Sequence, residues 1–227
     1  MKEIRDFILR FSKALYELWV AFINRFRKRT PIKLGDRFLG GIVFYISLPS
    51  AGSPSIYYIA AENDIDLPAD GSIVNFDKSL TWWGRQPVAW HPFSIPTNET
   101  NGEMNTPVIV SAVDGYVLSH GGTASTYAAK SCRDLYLNGY NDWYLPSTNE
   151  LNNLFQASQQ GIVGNFVNYD TASNYWSSTQ ITEVIHNAGA PDQYYYKACI
   201  QNFHTGMQAI TEEGYCWVRP IRRYQKW

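Results

Sequence analysis

The sequence is poor in charge: 17% of its 227 residues are Asp, Glu, Lys or Arg, against 45% apolar and 15% aromatic. That balance excludes a disordered chain, which needs low hydrophobicity and high net charge. Cysteine is scarce. Cys132, Cys199 and Cys216 form no CxxC pair and supply no disulfide framework. Three buried thiols fit, and so does one Cys199–Cys216 bridge beside a single thiol. The histidines His91, His120, His186 and His204 stand far apart, so zinc-ligand spacing is missing and no metal site is expected. Long hydrophobic runs are also missing from the first thirty residues. The longest uncharged stretch there is Leu18–Asn24, well short of the roughly 20 residues a membrane helix needs. With no small-residue cleavage site after it, the segment does not read as a signal peptide.

What is abundant is aromatic: 8 Trp and 16 Tyr. Such residues fill a core, or give a contact surface large rigid area at low entropic cost. The net charge of −1 is unevenly placed. Residues 1–30 carry eight basic side chains (Lys2, Arg5, Arg10, Lys13, Arg25, Arg27, Lys28, Arg29) against Glu3, Asp6 and Glu17. The rest is acidic overall, which argues against a nucleic-acid partner, because that work needs a basic face.

Residues 2–27 contain no Gly or Pro and read as an amphipathic helix. Ile4, Ile8, Phe11, Leu15, Leu18 and Phe22 follow alternating four- and three-residue spacing, a heptad seam. Phe7, Trp19, Val20, Ile23 and Phe26 widen the stripe beyond what a dimer needs. The stem (1–30) then suits a homotrimeric or higher bundle, docking onto a larger assembly or onto the chain's own domain, or contact with a membrane interface through Arg25–Arg29. Thr30-Pro31 ends it, because the residue before proline avoids helical dihedrals.

Residues 31–227 read as one α+β domain. Strands are expected at Phe38–Ser47, Ile56–Ala61, Tyr175–Gln180, Tyr194–Phe203, Met207–Thr211 and Tyr215–Tyr224. His204-Thr205-Gly206 and Glu212-Glu213-Gly214 supply turns. Leu80–Asn105, with Trp82, Trp83 and Trp90, reads as an ordered loop packed by its own aromatics. Ser125–Asn138 reads as a helix with Tyr127, Ala128, Cys132, Leu135 and Tyr136 on one face. Ser147-Thr-Asn-Glu150 is a capping box opening a helix to about Gln159. Asn63, Asp64, Asp66 and Asp70-Gly71 alternate oxygen ligands as a calcium loop does, but the closing acid is missing. Asx turns explain the same residues, so no cofactor is expected, with calcium the alternative.

Four short motifs occur in order: Gly40-Gly41-Ile42-Val43-Phe44-Tyr45, Asn141-Asp142-Trp143-Tyr144-Leu145-Pro146-Ser147 with Glu150-Leu151, Tyr175-Trp176-Ser177-Ser178-Thr179, and Val218-Arg219-Pro220-Ile221-Arg222. Together they resemble the family typified by the C-terminal domain of the Legionella collagen-like adhesin, over residues 35–224. The resemblance implies a C-type-lectin-like fold: paired first and last strands, two helices and a long loop region. It also implies a trimer, with sulfated polysaccharide as the adhesin's ligand. Variable phage and bacterial receptor-binding proteins and the formylglycine-generating enzymes are related. By that resemblance Trp143, Leu145 and Trp176 are core, Asp142 and the serines bond backbone, and Arg219 and Arg222 pair with acids or form an anion site.

An oxidase of the formylglycine type needs a close cysteine pair, and Cys199 and Cys216 lie on separate expected strands. The serines lack a nucleophile elbow. A non-enzymatic reading follows. In variable relatives the contacts lie on the C-terminal strands, here Thr179–His204. The ligand-binding candidates are Gln180, Glu183, His186, Asn187, Asp192, Gln193, Tyr194, Tyr195, Tyr196, Lys197, Gln201 and His204, a paratope-like mixture of aromatic anchors and adaptable polar groups. Trp82, Trp83 and Trp90 are a second candidate surface. If Phe203 points inward, then Gln201, Cys199, Lys197 and Tyr195 share its face, so a bulge is expected to break the alternation. The chain is thus expected to bind a host-surface protein or glycan from a virion or cell surface. The alternative is a structural virion protein that decorates or assembles through protein contacts.

Overall fold

A computed structural model describes residues 15–19, 31–48, 53–65, 94–120, 126–168, 173–186, 191–211 and 216–226. The chain divides into two compact units, Met1–Ile32 and Lys33–Trp227. In the first unit residues 15–19 are helical, and Leu15 and Leu18 of the expected seam are exposed. Ile4, Ile8, Phe11 and Phe22 lie outside the described residues, as do Trp82, Trp83, Trp90 and Asn187. No helix among the described residues is long and apolar enough to cross a membrane.

The second unit is α+β with two antiparallel sheets. The first holds β1 (Arg37–Phe38), β2 (Gly41–Ser47), β3 (Ser55–Ala60) and β7 (Ile221–Lys226), in the order β1-β2-β3-β7. The second holds β4 (Asn174–Ile185), β5 (Gln193–Asn202) and β6 (Gln208–Thr211), in that order. The last strand therefore joins the sheet of the first three, but against β3 and not against β1. Leu39 and Gly40 both have positive φ, which makes the β1–β2 connection a tight two-residue turn. A Cβ on Gly41 would sit 2.2 Å from the Ala60 carbonyl, so the Gly pair permits close strand approach. The expected strand Tyr215–Tyr224 is interrupted. Pro220 cannot donate to a ladder, and regular pairing begins at Ile221.

Among the described residues three helices pack on these sheets, where two were expected. α1 (Gly102–Ser119) is the additional one. Its buried residues Asn105, Thr106, Ile109, Val110, Val113 and Val117 form a stripe at three- and four-residue spacing. Asn101 caps it by accepting from the Met104 amide at 3.1 Å. The β-branched run Val108-Ile109-Val110 after Pro107 mimics a strand locally, and burial of one stripe overrides that preference. α2 (Ala128–Arg133) is much shorter than Ser125–Asn138. Tyr136, expected on its buried face, is 74% exposed, because the helix ends at Asp134 and the chain turns through Asn138 and Gly139 with positive φ. α3 (Thr148–Gln159) starts at the expected capping box, both reciprocal bonds being present.

The core has two clusters. One joins Ile109, Val110, Val113 and Val117 of α1 to Tyr127, Ala128, Ala129 and Cys132, with Leu145, Trp176, Ala198 and Val218. The other joins Leu151 and Leu154 of α3 to Phe44, Tyr144, Tyr175, Phe203 and Ile221. The second sheet is thus covered on both faces at its base, Trp176 and Ala198 facing one cluster and Tyr175 and Phe203 the other.

Candidate functional site

The motif residues build a scaffold, and the scaffold positions a ribbon. In β4, Trp176 pairs with Ile200 and Gln180 with Ala198, so four steps on β4 oppose two on β5. Ser177, Ser178 and Thr179 stand where β5 has Cys199 alone and form a bulge, which re-aims the strand beyond it. Every side chain of the bulge is bonded. Ser177 Oγ donates to the Cys199 carbonyl at 3.0 Å. Asn105 of α1 donates to Ser178 Oγ at 3.1 Å. Thr179 Oγ1 accepts from the Thr148 amide at the start of α3 and donates to the Asn98 carbonyl. Alternation is therefore broken in β4, while β5 runs on in even register.

Glu150 ties the helix starts together. Its Oε2 accepts from the Ser147 amide at 2.8 Å and the Gly102 amide at 2.9 Å, and its Oε1 accepts from Tyr144 Oη at 3.0 Å. Burial holds its carboxyl above the usual carboxylate range, against the lowering effect of these bonds. Arg219 is buried and donates to Asp64 at 2.7 Å and to the carbonyls of Ala61, Glu62, Gly164 and Asn165. Its guanidinium lies 4.0 Å from the Phe166 ring centroid. Arg222 pairs with Asp142 at 2.7 Å and lies over Tyr140. Asp142 thus bonds an arginine, not the backbone amides expected of it, and both arginines are structural ties. Asp64 also accepts from Tyr175 Oη at 2.8 Å, so it faces inward onto protein donors. Asp66, Asp70 and Gly71 lie outside the described residues. Among the described residues no group of His, Cys, Asp and Glu could hold a metal ion.

All three cysteines are reduced and buried. Burial pushes the Cys216 thiol up to about 12 and raises Cys132 and Cys199. At neutral pH they are thiols, the unreactive form.

Beyond the bulge, β4 and β5 leave the core as a two-stranded ribbon. Ile181 pairs with Lys197, Thr182 with Tyr196, Glu183 with Tyr195, Val184 with Tyr194 and Ile185 with Gln193. Aromatic and β-branched residues meet across the ladder, each such pair contributing about 0.2–1 kcal/mol. Residues 181–186 and 191–194 are all exposed. Lys197 Nζ reaches Glu183 at 2.7 Å and lies 5.8 Å from the Tyr195 ring centroid. His186 Nδ1 is 3.1 Å from Asp192. Tyr195 Oη donates to Gln193 at 3.1 Å.

The ribbon brings together Glu183, His186, Asp192, Gln193, Tyr194, Tyr195, Tyr196 and Lys197. Tyr194 is the most exposed tyrosine of the three, at 57%, whereas Tyr196 is half-buried against the first core cluster. Three candidates depart from this surface. Gln180 turns inward, its Oε1 accepting from the Ile95 amide at 2.6 Å, so it braces the preceding loop. Gln201 is 1% exposed and donates to Asn152 of α3 at 3.0 Å. It is interior because both faces of the sheet are covered there. His204 is exposed but lies in the β5–β6 turn, bonded to Asn168 at 3.0 Å. Ten residues separate it from Tyr194, about 30 Å along an extended chain. Sequence reasoning missed Ile181, Val184, Ile185, Met207 and Ile210, all exposed. The β-branched run Ile181-Thr182 and Val184-Ile185 was the available signal for extending β4.

Together, a scaffold of two antiparallel sheets held by buried polar ties and an exposed ribbon on its second sheet define an α+β domain. The chain belongs to the Lcl C-terminal domain family, whose profile matches residues 73–222. That match spans the last three of the four motifs. No curated protein matches the chain.

Proposed function

We propose that this chain is a non-enzymatic recognition module with a C-type-lectin-like fold, displayed on a virion or cell surface, and that the β4–β5 ribbon contacts a host-surface protein or glycan. The observation that carries this reading is the ribbon itself. A hairpin fixed to the core by the Ser177–Thr179 bulge exposes Tyr194, Val184 and Ile185 to solvent. Folding gains nothing from exposing such side chains, whereas binding gains from their burial. The family membership supports an adhesin-like role. The buried, protonated thiols and the structural use of Arg219, Arg222 and the motif serines support a role without catalysis. We further infer that no metal or other cofactor takes part, and that residues 1–30 form a trimerising or docking stem.

The test is binding of the labelled full-length chain to candidate host cells and to a glycan array. Saturable binding should fall at least roughly tenfold in a Tyr194→Ala/Tyr195→Ala variant, as for central aromatic anchors. Binding that is unchanged in that variant overturns the assignment to the ribbon. A structural virion role, with no binding to either panel, is the second reading; the apolar positions of residues 1–30 fit both readings, since each needs an anchor.

A further inference from the structure

We propose that the ligand of the β4–β5 ribbon is a protein segment presenting apolar side chains, and not a sulfated or otherwise polyanionic glycan. This inference rests on the recognition reading above and narrows the partner. The charges on the ribbon are spent on one another. Lys197 is held by Glu183 at 2.7 Å, and His186 by Asp192 at 3.1 Å. Lys197 is the sole Lys or Arg of residues 180–213, against the acids Glu183, Asp192, Glu212 and Glu213. The same economy holds across the described residues of 33–226, where six further Lys or Arg side chains sit in ion pairs with carboxylates. A polyanion is held by Lys and Arg side chains free to neutralise its charges and release its counterions. This surface offers it a net negative field.

Several of the exposed side chains are aliphatic, beside the polar residues and Tyr194. Ile181 and Ile185 stand on one face with Glu183 between them, and Ile210 on β6 is on the same face, opposite Cys199. Val184 and Tyr194 pair on the other face. Ile181, Val184, Ile185 and Ile210 are 37–44% exposed, and Met207 before β6 is 68% exposed. Aliphatic carbons give a sugar hydroxyl no hydrogen bond, so a glycan laid on them would lose bonds to water without replacement. A protein's apolar side chains lose nothing of the kind and gain by leaving water. Among the described residues β6 is also a sheet edge, and an extended protein segment can lie along such an edge.

The experiment uses the full-length chain and two probes, a random peptide display library and immobilised heparin. Selected peptides should be rich in apolar residues and bind as well in high salt as in low. They should lose at least roughly tenfold in affinity for an Ile181→Lys/Ile210→Lys variant. Heparin retention, which the basic residues 25–29 can carry, should be the same for the parent chain, for Lys197→Ala and for the double variant. An Ile181→Ser/Ile210→Ser variant replaces the lysine pair if circular dichroism shows the latter unfolded. Heparin retention that falls in Lys197→Ala, or selected peptides that bind the double variant equally, overturns the proposal. A glycan bound through the ribbon overturns it but leaves the recognition reading standing. Absence of any ribbon-dependent ligand overturns both.

Discussion

Removing the Asp64 carboxylate should be among the most damaging single changes in the second unit. Its oxygens accept from Arg219 Nε at 2.7 Å and from Tyr175 Oη at 2.8 Å. The Arg219 side chain has no exposed surface and that of Asp64 is 9% exposed, so water cannot replace the lost acceptor. Breaking a buried ion pair by deleting one partner costs about 3–5 kcal/mol, because the other charge is left uncompensated. Four backbone carbonyls still accept from the guanidinium, which puts Asp64→Ala toward the lower end, about 3 kcal/mol. For a domain of this size that lowers Tm by roughly 6–12 °C. Asp64→Asn keeps an oxygen acceptor and should cost about half as much, roughly 1.5 kcal/mol, the worth of a hydrogen bond to a charged group. Arg219→Met should exceed both, since it strips donors from those carbonyls as well. Urea denaturation at neutral pH, supported by calorimetry, measures all three. Asp64→Ala within about 0.5 kcal/mol of the parent, the range of ordinary surface changes, would refute the buried tie.

Glu150 gives a pH signature. Its folded-state pKa is raised by burial, so as pH falls the folded chain takes up the proton before the unfolded chain does. Stability relative to a Glu150→Gln variant should therefore rise as pH drops through the raised folded value, and level off below the ordinary carboxylate range. Parallel urea titrations from about pH 7 to about pH 4 check this, and a parent stability that falls relative to the variant on acidification contradicts it. Gly102→Ala should reverse the usual helix preference. Alanine normally adds up to about 1 kcal/mol to a helix position. Here its Cβ would lie 2.3 Å from the Leu145 carbonyl and 2.7 Å from Glu150 Oε2 and the Ser147 amide. A loss of about 1–3 kcal/mol is expected from such overpacking, and a gain in Tm would show that the contact relaxes freely.

Local signals were read correctly where their cause is local. The Ser147–Glu150 capping box, the His204–Gly206 turn and the positions of β3, β5 and β6 follow from hydrogen bonds and turns formed within a few residues. α1 shows the opposite case. Its apolar spacing was present in the sequence, yet Pro107 and three consecutive β-branched residues masked it. Helix formation there depends on burying one stripe against Trp176, Tyr127 and Val218, a gain no local window contains.

By itself, the sequence determined the α+β class, the family and the stretch that carries the candidate surface. Those properties live in periodicity, turn chemistry and short ordered motifs, which survive without knowledge of neighbours. Only the tertiary structure decided which residues of that stretch face solvent. A strand with one covered face exposes alternate side chains, but β5 is covered on both faces at its base and on little of either at its tip. Coverage is set by α3 on one side and the α1 cluster on the other, and the β4 bulge sets where the ribbon leaves them. Gln201 and Tyr194 lie on the same strand, and contacts from distant segments make one interior and the other available to a partner.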